Sequence, residues 1–160
     1  MRHINITAED ITKANILAEE MGQLKNSITK GQGNTHGFLG EIIVSKFLGI
    51  EISNTYDYDM ILNNTKIDVK TKRVTTPPKD YYECSVANLN TKQQCDVYVF
   101  TRILKDMTEG WILGYLKKED YFKKSTFLKQ GEIDPSNNWK VSTDCYNLSI
   151  NKLNTIEELV

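Results

Sequence analysis

Apolar residues recur at helical spacing in some stretches and form alternating or continuous runs in others, which predicts helices interspersed with strands. Thr7, followed three residues later by Asp10, indicates a capping box that opens an amphipathic helix ending near Met21. The apolar runs at residues 96–104 and 110–116 are typical of central strands. Further strands are predicted at residues 81–87 and 140–150, a short helix at 118–125, and a terminal helix capped by Thr155.

Chain length and composition suit a single hydrophobic core. The chain has 160 residues, of which 39% are hydrophobic, enough to bury one core and little more. We therefore expect one domain over residues 1–160 and an α/β fold, with a mixed central β-sheet flanked by helices. The segment from Asn26 to Thr35, which contains Gly31 and Gly33, predicts a flexible loop.

The segment from Thr35 to Gly49 predicts a buried helix, with Thr35 as its N-cap and Gly49 as its stop. Apolar residues cover nearly the whole circumference of this helix, and Glu41 falls among them. A buried carboxylate is costly unless it is paired or coordinated. A less specific interpretation is that Glu41 lies on the helix surface and bonds to His36 or to a lysine elsewhere.

Residues 57–71 predict a β-hairpin, because polar and apolar residues alternate on both sides of Asn63-Asn64. Asparagine tolerates the positive φ that a tight hairpin turn requires. With these two residues as the loop, Asp59 lies opposite Asp68, and Asp57 lies opposite Lys70, all on one face.

Like charges directly opposed across two strands are destabilising, so the Asp59–Asp68 pair needs compensation. A hard divalent cation bound by carboxylate oxygens provides it, and Lys70 adds a further positive charge. The alternative is a solvated surface on which Asp57 pairs with Lys70, and Asp68 pairs with Lys66 or Lys72. Each such surface pair contributes at most about 1 kcal/mol.

The chain thus carries a glutamate on a helix, an aspartate on a strand, and Asp-x-Lys on the next strand, in that order. In Glu41, Asp59 and Asp68-Val69-Lys70 it resembles the PD-(D/E)XK nuclease superfamily, which has the restriction-endonuclease-like fold. It departs from the family's name because Tyr58, not proline, precedes the first aspartate. Asp57 is an alternative for that aspartate, but the hairpin register favours Asp59.

The resemblance implies a metal-dependent DNA nuclease that hydrolyses phosphodiester bonds, an endonuclease rather than an exonuclease. Asp59, Asp68 and the Val69 carbonyl would bind Mg²⁺ or Mn²⁺, and Glu41 would complete the site. Lys70 would orient or activate the attacking water. A protein this small would act as a homodimer if it cuts both strands, because one active site cuts one strand at a time.

A net charge of −1 and a pI of about 6.1 argue against a nucleic-acid partner. However, basic residues cluster beside the proposed acids, and we expect Lys66, Lys72 and Arg73 to contact DNA. Gln93 or Gln94 could touch the phosphate from the start of the strand at 96–104. The abundance of Asn, Lys and Ile suggests an AT-rich genome, such as that of a phage or mobile element.

The remaining composition points to the cytoplasm of a bacterium or a phage-infected host cell. No apolar run is long enough for a membrane span, and no signal peptide is evident. Three widely spaced cysteines suggest reduced thiols, and two histidines nearly exclude chemistry that needs several. The alternatives to a DNA nuclease are a non-catalytic accessory factor that keeps the fold, and a nuclease acting on RNA.

Overall fold

The computed structural model describes residues 1–25 and 34–160. Three α-helices, eight strands and short 3₁₀ turns make up this part of the chain. In chain order they are β1 (Arg2–Asn5), α1 (Ala8–Lys25), α2 (Thr35–Leu48), β2 (Met60–Leu62), β3 (Thr65–Val74), β4 (Glu83–Ala87), β5 (Val97–Leu104), β6 (Glu109–Lys117), α3 (Lys118–Lys124), β7 (Thr126–Leu128) and β8 (Cys145–Ser149), with 3₁₀ turns at Asn88–Asn90, Ile150–Lys152 and Ile156–Leu159.

The central sheet has five strands in the order β1-β6-β5-β3-β2. β3 and β5 run parallel, with Asp68 beside Tyr98, whereas the other neighbouring strands are antiparallel. A second sheet of three antiparallel strands has the order β4-β8-β7. The mixed α/β class predicted from the sequence is therefore confirmed.

Apolar side chains cover both faces of the central sheet. On one face, α2 packs against β3, β5 and β6, and α1 packs against α2. On the other face, Tyr98 and Phe100 of β5 contact Tyr121 of α3, and this cluster continues into the second sheet. Helices thus flank the mixed sheet, as predicted, and β5 lies buried between the two layers.

The predicted capping box of α1 is confirmed. The Asp10 N–H donates to Thr7 Oγ1, and the Thr7 N–H donates to Asp10 Oδ2, both at 3.1 Å. The Asp10 carboxylate also binds Lys46, whose Nζ lies 3.0 Å from Oδ1. One aspartate therefore caps α1 and fastens it to α2.

Both ends of α2 lie close to the predicted positions. The helix starts at Thr35, and its N-cap is Asn34, so the prediction of Thr35 as N-cap was wrong by one residue. Gly49 ends the helix in the left-handed conformation with φ 69°, as predicted, and its N–H donates to Ser45 O at 2.9 Å. Residues 26–33 of the predicted loop lie outside the described part of the chain.

The remaining predicted elements are present with differences in their bounds. β5 and β6 occupy the two apolar runs, and α3 is the short helix expected after them. The strand expected at 140–150 shrinks to β8, and the terminal helix is a 3₁₀ turn without a side-chain cap from Thr155. β1 and β7, of four and three residues, were not predicted. Across the described residues, no helix is long and apolar enough to cross a membrane.

Candidate active site at the edge of the central sheet

The hairpin has the register that the sequence predicts. Met60 lies opposite Ile67 and Leu62 opposite Thr65, and Asn63 and Asn64 form the turn with φ values of 48° and 69°. β2 pairs with β3 only as far as Ile67. From Asp68 onward, β3 therefore has no strand partner on that side within residues 1–25 and 34–160.

Asp59 lies where this open edge begins. Its N–H donates to Ile67 O at 2.8 Å, and its carbonyl accepts the N–H groups of Ser53 and Asn54. Its carboxylate replaces the missing strand, because Oδ2 accepts the Val69 N–H at 2.7 Å. Asp59 is thus held beside Asp68 by both its backbone and its side chain.

The close approach of α2 to the sheet brings Glu41 to the same edge. A Cβ on Gly40 would lie 1.9 Å from Thr71 Oγ1 and 2.5 Å from Thr101 Oγ1, so only glycine fits there. The two threonine hydroxyls hydrogen-bond to each other at 2.8 Å beneath the helix. Gly40 therefore allows α2 to pack closely against β3 and β5, with Glu41 in the next position of the helix.

The three carboxyl groups are buried together with few donors. Glu41, Asp59 and Asp68 are 9%, 7% and 3% exposed. Burial, followed by the charge of Asp59 and contact with it, raises the pKa of Glu41 to about 10. Burial and the charge of Asp59 raise the pKa of Asp68 to about 6, although Lys70 opposes the shift. Within the described residues, the buried Glu41 Oε2 has no hydrogen-bond partner.

Lys70 brings a positive charge into this acidic site. Its Nζ lies 2.7 Å from Asp68 Oδ2, and its side chain is 16% exposed. Nζ also donates to Gln93 Oε1 at 2.8 Å and lies 5.6 Å from the centre of the Tyr98 ring. Gln93 thus contacts this lysine, and no local sequence pattern predicts that contact.

Asp57 does not face Lys70, contrary to the sequence-based prediction. Its Oδ1 accepts the Gln94 N–H at 3.0 Å, so its carboxylate joins two loops instead. The same contact disfavours Asp57 as the first acid of the site. His36 bonds through Nε2 to the Lys105 carbonyl at 3.1 Å, and is therefore not the partner of Glu41. Burial of the acids also rules out the solvated-surface interpretation.

The three basic residues expected to contact DNA divide between the two faces of β3. Lys66 lies two residues before Asp68, and Lys72 lies two residues after Lys70, so all four side chains are on one face of β3. Lys66 Nζ lies 5.5 Å from the centre of the Tyr58 ring, and Lys72 has Arg102 as its neighbour on β5. Arg73 lies on the opposite face, in register with Ile103. Of the three, Lys66 and Lys72 therefore share the strand face of the acidic site, and Arg73 does not.

The donor set suits a hard divalent cation, but not a closed cage. Across residues 1–25 and 34–160, no group of three or more His, Cys, Asp or Glu side chains is arranged so that it could hold a metal ion. Mg²⁺ commonly binds one or two carboxylates and takes its other ligands from water and substrate phosphate. Asp68, Asp59 and the Val69 carbonyl fit that open mode, and the unpartnered Oε2 of Glu41 offers a further oxygen.

Comparisons with known proteins leave the site to be interpreted from its own geometry. No model of a known protein family matches the chain, and a comparison with curated proteins gave no significant match. The chemistry of the site is therefore inferred from the three buried acids, the lysine beside them and the open edge of β3.

Proposed function

We propose that the protein is a Mg²⁺-dependent DNA endonuclease of the PD-(D/E)XK type, with the restriction-endonuclease-like fold. The observation that carries this proposal is the convergence of Glu41, Asp59, Asp68 and Lys70 at the open edge of β3. Buried acids with too few donors are expensive for a fold to keep, so they are typical of sites that bind or react.

Each residue has a distinct role in the proposed reaction. Asp59, Asp68 and the Val69 carbonyl would hold Mg²⁺ or Mn²⁺, which when bound would supply Lewis-acid polarisation of the phosphate and activation of the attacking water. Lys70, held beside Asp68, places its ammonium against the phosphate or the attacking water. Burial and the charge of Asp59 raise the pKa of Glu41 to about 10, so Glu41 would have to lose a proton to contribute to the cation site, because a carboxylate must be ionised to bind.

The partner proposed from the surrounding charges is DNA. Lys66 and Lys72 lie two residues to either side of the Asp68–Lys70 pair on the same strand face. At about 3.3 Å per residue, they lie within about 7 Å of the pair along the strand. We propose that they bind neighbouring phosphates, and that two copies of the chain are needed to cut both strands of a duplex.

A second candidate is a non-catalytic accessory factor that keeps this fold. The observations that favour it are the lack of a ready three-ligand group in the described residues and the net charge of −1. Such a factor would bind nucleic acid or protein through the same edge and bind Mn²⁺ no better than a surface does.

The test incubates purified protein with plasmid, linear, single-stranded and four-way-junction DNA, and with RNA, in Mg²⁺, Mn²⁺ or EDTA. Asp68→Ala and Lys70→Ala are expected to lose metal-dependent cleavage. Glu119→Ala and Lys124→Ala, which change charges on α3, serve as matched controls and are expected to retain it. Identical products with metal and with EDTA on every substrate would favour the accessory factor.

A further inference from the structure

Gln93 lies where three segments of the site meet. Its Oε1 accepts a hydrogen bond from Lys70 Nζ at 2.8 Å, and its Nε2 donates to the Tyr56 carbonyl at 2.8 Å. Its own carbonyl accepts a hydrogen bond from Lys118 Nζ. The side chain therefore connects β3 to the loop that leads into Asp59.

The neighbouring residue strengthens the same connection. The Gln94 N–H donates to Asp57 Oδ1 at 3.0 Å, one residue along from Tyr56. The Gln93 carbonyl bonds to Lys118 and the Gln94 N–H bonds to Asp57, so the peptide bond between the two glutamines is held at both of its polar groups. The side-chain amide of Gln93 is fixed by its bond from Nε2 to the Tyr56 carbonyl, and its oxygen faces Lys70. A fixed neutral acceptor directs an ammonium without neutralising its charge.

We propose that Gln93 is the positioning residue for Lys70. An ammonium has three N–H donors. Asp68 and Gln93 hold Lys70 Nζ from two directions, and the Tyr98 ring lies beneath it. These contacts leave an N–H of the ammonium for the phosphate or the attacking water that we propose binds at the open edge of β3. This inference rests on the proposed nuclease function and adds to it a residue that does not touch the substrate.

The test compares kcat and KM for DNA cleavage, together with the Kd for Mn²⁺, in two variants. Gln93→Met keeps the length of the side chain but loses both amide atoms, and is expected to lower kcat about 10- to 100-fold. Its KM and Mn²⁺ affinity are expected to stay within about twofold of the unaltered protein. Gln130→Met is the matched control, because it makes the same substitution in the loop after β7, where Gln130 bonds to Asp144 through its backbone N–H, and we expect it to leave kcat unchanged.

A double-mutant cycle shows whether Gln93 acts through Lys70. If it does, adding Gln93→Met to Lys70→Ala lowers the residual rate, measured with excess enzyme in Mn²⁺, by less than about twofold. A further 10- to 100-fold loss in the double variant would overturn the inference, because it would show that Gln93 acts through another contact, such as that with the Tyr56 carbonyl.

The remaining outcomes are also distinguishable. Cleavage by Gln93→Met at the unaltered rate would overturn the positioning role and leave the nuclease function intact. Absence of cleavage by the unaltered protein on every substrate would overturn the proposed function itself, and this inference with it. Thermal melts confirm folding, and Gln93→Asn, whose amide is too short to span both partners, replaces Gln93→Met if that variant unfolds.

Discussion

The molecule contains two groups of neighbouring acidic side chains, and the repulsion within each group is offset in a different way. Beside the second sheet, Glu83 of β4 lies near Asp134, and Ser136 Oγ lies within hydrogen-bond distance of one carboxylate oxygen of each. Asp134 also accepts the Ser136 N–H at 2.9 Å and Asn147 Nδ2 at 3.1 Å. Although burial opposes it, these bonds and the bond from Glu83 lower the pKa of Asp134 to about 2. Burial and Asp134 raise the pKa of Glu83 to about 7, so the pair shares one proton.

At the edge of the central sheet, three acids meet with fewer donors. Asp59 receives the Val69 N–H and Asp68 faces Lys70, but burial raises the pKa of all three acids. The difference shows that proximity of acids is not itself the sign of a site. Asp134 is satisfied by neutral donors and its pKa is low, whereas acids left short of donors, Glu83 and the three acids of the site alike, have raised pKa values and need a proton or a cation.

The largest expected contrast between the two groups is in cleavage. Asp68→Asn removes a proposed ligand, and we expect it to reduce the rate at least about 100-fold, the upper range for residues that only support a ligand. Asp134→Asn is expected to leave the rate per folded molecule within about twofold. Rates measured on linear and plasmid DNA in Mg²⁺, corrected for the folded fraction, check both values.

Asp134→Asn should instead weaken the fold. The asparagine side chain has one oxygen where Asp134 has two, so it cannot accept from both Ser136 and Asn147. One of these donors loses its partner, at a cost of about 1–3 kcal/mol. Denaturant unfolding in EDTA measures that cost. A large loss of cleavage in Asp134→Asn without unfolding would contradict the division between a structural group and a functional group.

The next contrast is in the response of stability to metal. A ligand that binds only the folded state at 100 times its Kd stabilises the protein by about 2.7 kcal/mol. We expect millimolar Mn²⁺ to raise the unfolding midpoint of the unaltered protein and of Asp134→Asn, but not that of Asp68→Asn. Thermal melts with Mn²⁺ and with EDTA measure this independently of cleavage, and an equal rise in Asp68→Asn would argue for surface binding.

The pH dependence of stability without metal gives a smaller contrast. An acid whose pKa is higher in the folded state than its ordinary value stabilises at low pH, and that stability is lost as the pH rises through the folded pKa. The stability that ionisation of Asp68 and Glu83 removes is fully lost near their folded pKa values of about 6 and 7. At higher pH the protein continues to lose stability through Glu41, whose pKa is about 10. Between pH 7 and 9 we therefore expect a loss of about 1–3 kcal/mol.

Glu41→Gln is the matched variant for this prediction. It has a similar shape and no proton to lose. Its stability should therefore change less between pH 7 and 9, through same-sign contributions of Asp59 and of the Cys84 and Cys95 thiols, whose pKa values burial raises. Denaturant unfolding in EDTA at several pH values compares the slopes. Parallel slopes for the two proteins would mean that Glu41 is ionised in the fold and lies outside the buried group.

The hairpin and the helix of the site were predictable because their signals are local. Asn63-Asn64 fixes the register through positive φ values, and the alternation on both arms fixes the face. The apolar circumference of α2 made Glu41 conspicuous. Those two signals brought Glu41, Asp59, Asp68 and Lys70 into one hypothesis, and the structure places all four side chains at one edge.

The parts that the sequence could not predict depend on contacts between distant segments. Asp57 faces Gln94 because β2 starts only at Met60, so the strand pairing that would place Asp57 opposite Lys70 does not form. Gln93 reaches Lys70 across a loop whose path no local pattern encodes. The very short strand β7 pairs with β8 across an intervening loop, so its strand conformation also depends on distant pairing.

The smallest expected effect separates the two faces of β3 in DNA binding. Each phosphate neutralised by a lysine contributes about −0.9 to the slope of log K against log salt on duplex DNA. Because Lys66 and Lys72 share the face of Asp68, replacing either by alanine should make that slope shallower by about one. Arg73→Ala, on the opposite face, is the matched control and should leave it unchanged. Fluorescence anisotropy in EDTA between low and moderate salt measures the slopes, and an equal change in all three variants would mean that DNA wraps around the edge of the sheet instead of lying along one face.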